Sequence, residues 1–124
     1  MKTSCFRNYT GNDGVSICLR PPHDWTGACY TRLAPDRDSF YAAKAGKMSD
    51  QEYEEAYRKN VLSKLDAAEI YGMLRDSVLL CWEEPGAFCH RRVLARWIEE
   101  EIGIGVPEWQ PSDETKKTGA NPLF

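Results

Sequence analysis

Val78-Leu79-Leu80 is an unbroken apolar run without polar alternation, the pattern of a strand whose sheet is covered on both faces. Pro85-Gly86 then interrupts the chain. Beyond it Val93, Leu94, Trp97, Ile98 and Ile102 recur at helical spacing, with Arg96, Glu99, Glu100 and Glu101 on the other side. Buried strand, turn and amphipathic helix, in that order, point to an α/β arrangement. The segment after the helix should return parallel through a right-handed crossover. In such folds ligands bind beyond the carboxyl ends of strands, where helix N-termini leave N–H groups free. Cys81, Glu83, Cys89, His90 and Arg91 fall in that place.

The rest of the chain can be fitted around this unit. Residues 2–9 predict a first strand with Cys5 and Phe6 as its buried part, and Val15 to Leu19 a second, separated by the turn-forming Gly11-Asn12-Asp13-Gly14. Pro21 and Pro22 lack backbone donors and end the sheet there, leaving a loop with Arg20, His23 and Trp25. Asp36 to Ala45 predicts a helix stopped at Gly46. Ser49-Asp50-Gln51-Glu52 has the capping-box pattern, opening a helix that presents Tyr53, Ala56, Tyr57, Asn60 and Val61. Asp66 to Glu69 opens a shorter one with Ile70, Tyr71 and Leu74 as its stripe, and residues 103–108 predict a short closing strand. The expected fold is a single α/β domain over residues 1–108, in three layers, with a small, largely parallel sheet and helices on both faces. Residues 109–124 are expected to form a polar tail.

Composition narrows the function classes. With 124 residues, 28% of them charged, and a formal charge of −3, no global basic footprint for nucleic acid is present, though a local patch is compatible with these numbers. No apolar run is long enough to span a bilayer and the first residues lack a signal-peptide core, so a cytoplasmic protein without membrane association is expected. Five cysteines at irregular spacing fit reduced thiols better than a secreted disulfide framework. The Cys81-x7-Cys89 spacing matches no zinc knuckle or ribbon and no second pair completes four ligands nearby, so no metal site is expected. Nor do the residues name a cofactor or an oligomeric state. A Cys-x5-Arg phosphate loop, GxGxxG, Walker A and GxSxG are all missing.

Leu79-Leu80-Cys81-Trp82-Glu83 followed by Phe88-Cys89-His90-Arg91 resembles the paired signature of the domain-of-unknown-function 488 family, an LLCxE strand end and a CHR helix start. The likeness continues through Ile17 to Arg20, Trp25, Gly27, Leu33-Ala34-Pro35, Tyr53, Tyr57 and Val61-Leu62, covering roughly residues 3–108. The Arg20-Pro21-Pro22 loop departs slightly from the family's usual form. The resemblance implies a small three-layer α/β protein and no settled activity.

Three functions fit the site. In the first, Arg20, His90 and Arg91 bind the phosphate of a nucleotide or nucleic acid, with Trp25 available to stack and Glu83 and Cys89 as the reactive or orienting groups. Arg91 and Arg92 at a helix N-terminus oppose the macrodipole, which favours an anion there, either phosphate or a carboxylate such as Glu83. In the second, Cys89 is a reactive thiol with Cys81 as its partner, and His90 and Glu83 serve as acid or base. The helix dipole is worth only about 0.3–1 kcal/mol, so an arginine would have to supply the remaining thiolate stabilisation. In the third, Glu83 and Arg91 form a structural lock in a noncatalytic domain.

Overall fold

The computed structural model describes residues 1–111. Four short strands, β1 (Lys2–Cys5), β2 (Gly14–Ser16), β3 (Ala28–Cys29) and β4 (Val78–Cys81), form one sheet in the order β1-β4-β2-β3 with every pairing parallel. The apolar run of β4 lies second in that order, with all its residues buried. Its register places Leu79 opposite Thr3 and Val15, and Cys81 opposite Cys5. The first two strands stop short of the expected limits, and β3 is an addition that the loop composition did not announce.

Four helices follow the sequence pattern closely. They are α1 (Arg37–Lys44), α2 (Asp50–Asn60), α3 (Ala67–Leu74) and α4 (His90–Ile102). Ser49 Oγ accepts from the Glu52 N–H at 3.1 Å, and Glu52 Oε1 accepts from the Ser49 N–H at 2.8 Å, completing the capping box. Ser49→Ala should therefore cost about 1 kcal/mol, read as a lower urea midpoint with an unchanged slope. Helix α4 ends at Gly103, whose φ of 74° lies in the left-handed region, with its N–H on the Glu99 carbonyl. That cap uses residues expected to begin a strand. The predicted closing strand is reduced to one parallel bridge, Thr3 to Glu108, on the free edge of β1.

The α/β class and the small parallel sheet with its helices are as expected. Leu79 shares a core with Val15, Ile17, Tyr57, Ile70, Leu94 and Ile98. Side chains alternate along a strand, so Val78 and Leu80 point the other way, and there they meet Trp109, Phe6, Tyr9 and Trp25. Among the described residues, the cluster around Val78 and Leu80 is thus built with aromatic side chains. The connections explain this. Residues 6–13 and 17–27 must each carry the chain back along the sheet to start another parallel strand, and neither contains a helix. Their aromatic residues do the covering instead.

Trp109, expected as the first residue of a polar tail, is buried and meets Tyr9 edge-on at 5.0 Å between ring centroids. Its N–H donates to the Thr3 carbonyl at 2.7 Å. The packed chain therefore reaches beyond residue 108. The remainder of the expected tail, residues 112–124, lies outside the described residues.

Candidate functional site

The site forms where β4 ends and α4 begins. Cys81 is the last residue of β4 and Cys89 is the N-cap of α4, both buried. The intervening Glu84 to Ala87 are exposed, turning at Gly86 with φ 90°. This hairpin-like excursion brings the Sγ atoms of Cys81 and Cys89 into bonding contact. Their Cα atoms are 7.8 Å apart, wider than the roughly 4.4–6.8 Å that disulfides usually span. Cys18 packs against the same two sulfurs, and burial pushes its thiol pKa up.

His90 is buried in the first turn of α4. Its Nε2 lies 2.8 Å from the Ile17 carbonyl, a group that can only accept, so Nε2 carries the proton and Nδ1 keeps a lone pair. Nδ1 stands 3.7 Å from Cys89 Sγ. Burial outweighs the help of the Ile17 carbonyl and the Glu83 charge, lowering the imidazole pKa to about 4 and leaving it neutral at pH 7. The Tyr57 ring meets the imidazole edge-on at 5.3 Å, while the Tyr57 hydroxyl donates to the Leu33 carbonyl at 2.6 Å.

Glu83 is held by Lys44 from the end of α1, Nζ to Oε1 at 2.8 Å, and its other oxygen lies 3.4 Å from Cys89 Sγ. Burial, followed by the Glu83 charge, raises the phenol pKa of Tyr53 above its ordinary value. Lys44 is a site residue that sequence reasoning missed. Only its position just before the helix stop at Gly46 could have drawn notice, and nothing local links it to Glu83.

Arg91 is 1% exposed and fully engaged within the protein. Its Nε and Nη2 donate to the two carboxylate oxygens of Glu108 at 3.2 and 2.8 Å, and Nη1 donates to the Glu83 backbone carbonyl at 2.8 Å and to Cys81 Sγ at 3.0 Å. The carboxylate that pairs with Arg91 is that of Glu108, not the Glu83 side chain expected from the sequence. Thr3 also donates to Glu108, at 2.6 Å, and Arg92 donates to Thr3 Oγ1 and the Val106 carbonyl. The conflict between two arginines and the helix dipole is thus resolved by the protein's own closing segment.

Of the two other expected ligand residues, only Trp25 stands apart. Arg20 is exposed, and its carbonyl accepts from Trp82 Nε1 at 2.7 Å. Trp25 meets Phe6 edge-on at 5.2 Å and donates Nε1 to the Ala28 carbonyl, on the sheet face opposite Cys81. The residues that converge are Cys81, Glu83, Cys89, His90 and Arg91, with Lys44, Tyr53, Tyr57 and Glu108 around them. Among the described residues no helix is long and apolar enough to cross a membrane.

No curated protein and no solved structure matches this chain. A family model does, the one described as DUF488-N3a, the active DUF488-N3 subclade, and its match spans residues 7–102. That span contains the cysteine pair, Glu83, His90 and Arg91, and it covers most of the chain. The protein belongs to the domain-of-unknown-function 488 family.

Proposed function

We propose that the protein is a thiol-dependent enzyme of the cytoplasm whose working groups are Cys81 and Cys89. The contact between their sulfurs carries this reading. The surroundings support it with a division of roles. Arg91 Nη1 lies against Cys81 Sγ and favours its thiolate, while Glu83 and the neutral His90 present acceptors to the Cys89 thiol. Cys81 is therefore the better nucleophile and Cys89 the partner, the reverse of the order suggested by the helix dipole alone. The description of the matched subclade as active is compatible with an enzyme.

The reaction class is thiol–disulfide exchange. The Cys81 thiolate attacks a disulfide, one sulfur of which leaves as a thiol after taking up a proton. Cys89, giving its proton to Glu83 or His90, then attacks the mixed disulfide, releasing the second thiol and leaving Cys81 bonded to Cys89. A phosphate pocket is less well supported. Arg91 is occupied by Glu108, His90 is neutral, and Trp25 lies on the other face of the sheet.

Equilibration with glutathione redox buffers, followed by alkylation and peptide mass mapping, tests the reading. A Cys81–Cys89 linkage should form and disappear reversibly, and Cys89→Ser should accumulate a mixed disulfide at Cys81. Failure to form that linkage at any ratio, in protein that stays folded, would exclude it.

A further inference from the structure

We infer that the reduced protein binds one thiophilic divalent cation, Zn²⁺ by chemical preference, through Cys81 Sγ, Cys89 Sγ and His90 Nδ1. The three ligand atoms lie within 4.8 Å of one another, on buried residues. Around a tetrahedral zinc, two such atoms sit about 3.5–3.8 Å apart, from bond lengths near 2.3 Å to sulfur and 2.0–2.1 Å to nitrogen. Cys89 Sγ and His90 Nδ1 are already 3.7 Å apart. The 7.8 Å between the Cys81 and Cys89 Cα atoms is wide for sulfurs bonded to each other and leaves room for sulfurs that share a third atom.

The hydrogen bonds around the three ligands point the same way. His90 donates Nε2–H to the Ile17 carbonyl, which fixes the tautomer and turns the Nδ1 lone pair toward the cysteines, the usual device for a metal-ligating histidine. Arg91 Nη1 donates to Cys81 Sγ, an interaction that stabilises a coordinated thiolate. Charge balance is also favourable. Glu83 is paired with Lys44 and Glu108 with Arg91, so two thiolates and one dication leave the buried cluster neutral. The fourth position falls to water or to Glu83, whose Oε2 is 3.4 Å from Cys89 Sγ. Linear spacing hid the set because its third ligand is the residue next to Cys89, not a member of a second cysteine pair.

The inference shares its cysteines with the proposed thiol chemistry and does not depend on it. Binding of the metal requires both thiols reduced and gives up their two protons. Transfer of two electrons to a disulfide would join the sulfurs and release the cation.

The test is titration of the reduced, metal-free, full-length protein with Co²⁺ and then Zn²⁺. One equivalent of Co²⁺ should produce tetrahedral d–d bands and a thiolate-to-cobalt charge-transfer band, both removed by Zn²⁺. Cys81→Ser and His90→Ala should each lose or alter these bands, while Cys29→Ser, at an exposed free thiol, should leave them unchanged. Should the site variants fail to fold, wild-type alkylation decides the matter, since Zn²⁺ should shield Cys81 and Cys89 and leave the rate at Cys29 unaltered. Absent bands, or bands and shielding that follow Cys29, overturn the inference. Zinc binding without a reversible disulfide would remove the redox reading alone, and a reversible disulfide without metal binding would remove this inference alone.

Discussion

Glu108→Ala should destabilise the domain by about 3–5 kcal/mol, because it strips the carboxylate from a guanidinium that is already out of water. Total stability of a domain is only about 5–15 kcal/mol, so a loss of this size is readily measured by urea unfolding. Glu108 keeps 17% of its side chain exposed, which allows water to solvate the orphaned charge in part and favours the lower end. The same substitution also unties Thr3, whose hydroxyl donates to the same carboxylate, and so loosens the closing segment from β1. Glu108→Gln keeps the shape and one acceptor and should cost less. Replacing Arg91 and Glu108 together by apolar residues of similar size should restore most of the stability, since neither charge is then left alone. If Glu108→Ala proves neutral, the pair is not the lock that holds the turn. A chemical readout accompanies the thermodynamic one. In Glu108→Gln the guanidinium is no longer balanced, so Cys81 should alkylate faster near neutral pH, whereas a purely structural pair would leave its reactivity unchanged.

That pair also shows where the sequence was legible and where it stopped. The apolar run of β4, the caps at Ser49 and Asp66 and the glycine stop of α1 at Gly46 are local signals, set by side chains within a few residues of one another, and each is found in place. The five residues of the turn could be nominated because a strand end and a helix start must lie close together. Their partners could not. Glu108 reaches Arg91 only after α4 has crossed back over the sheet, and the Ile17 carbonyl that sets the His90 tautomer comes from beyond the end of β2. Trp25 follows a strand, a place that suggests the site. Its indole instead packs on the opposite face, where burial against Phe6 and Leu80 is favourable.

Tyr57→Ala should cost about 3–5 kcal/mol, the range for removing a large aromatic side chain from a closed core. Tyr57 is 1% exposed and serves two purposes at once. Its hydroxyl ties α2 to the Leu33 carbonyl, and its ring forms the wall against which the His90 imidazole rests. Tyr57→Phe separates them. It keeps the wall and leaves a buried carbonyl without its donor, a penalty of about 1–3 kcal/mol. Both variants should therefore be less stable, and they should differ at the cysteines. With phenylalanine the imidazole stays seated and alkylation of Cys81 and Cys89 should follow the wild type once unfolding is allowed for. With alanine the imidazole gains room, Nδ1 is no longer held toward Cys89, and the reactivity of that thiol should change beyond what the loss of stability explains. Equal effects of the two substitutions on thiol reactivity would mean that the ring does not position His90 and that the hydroxyl alone accounts for Tyr57.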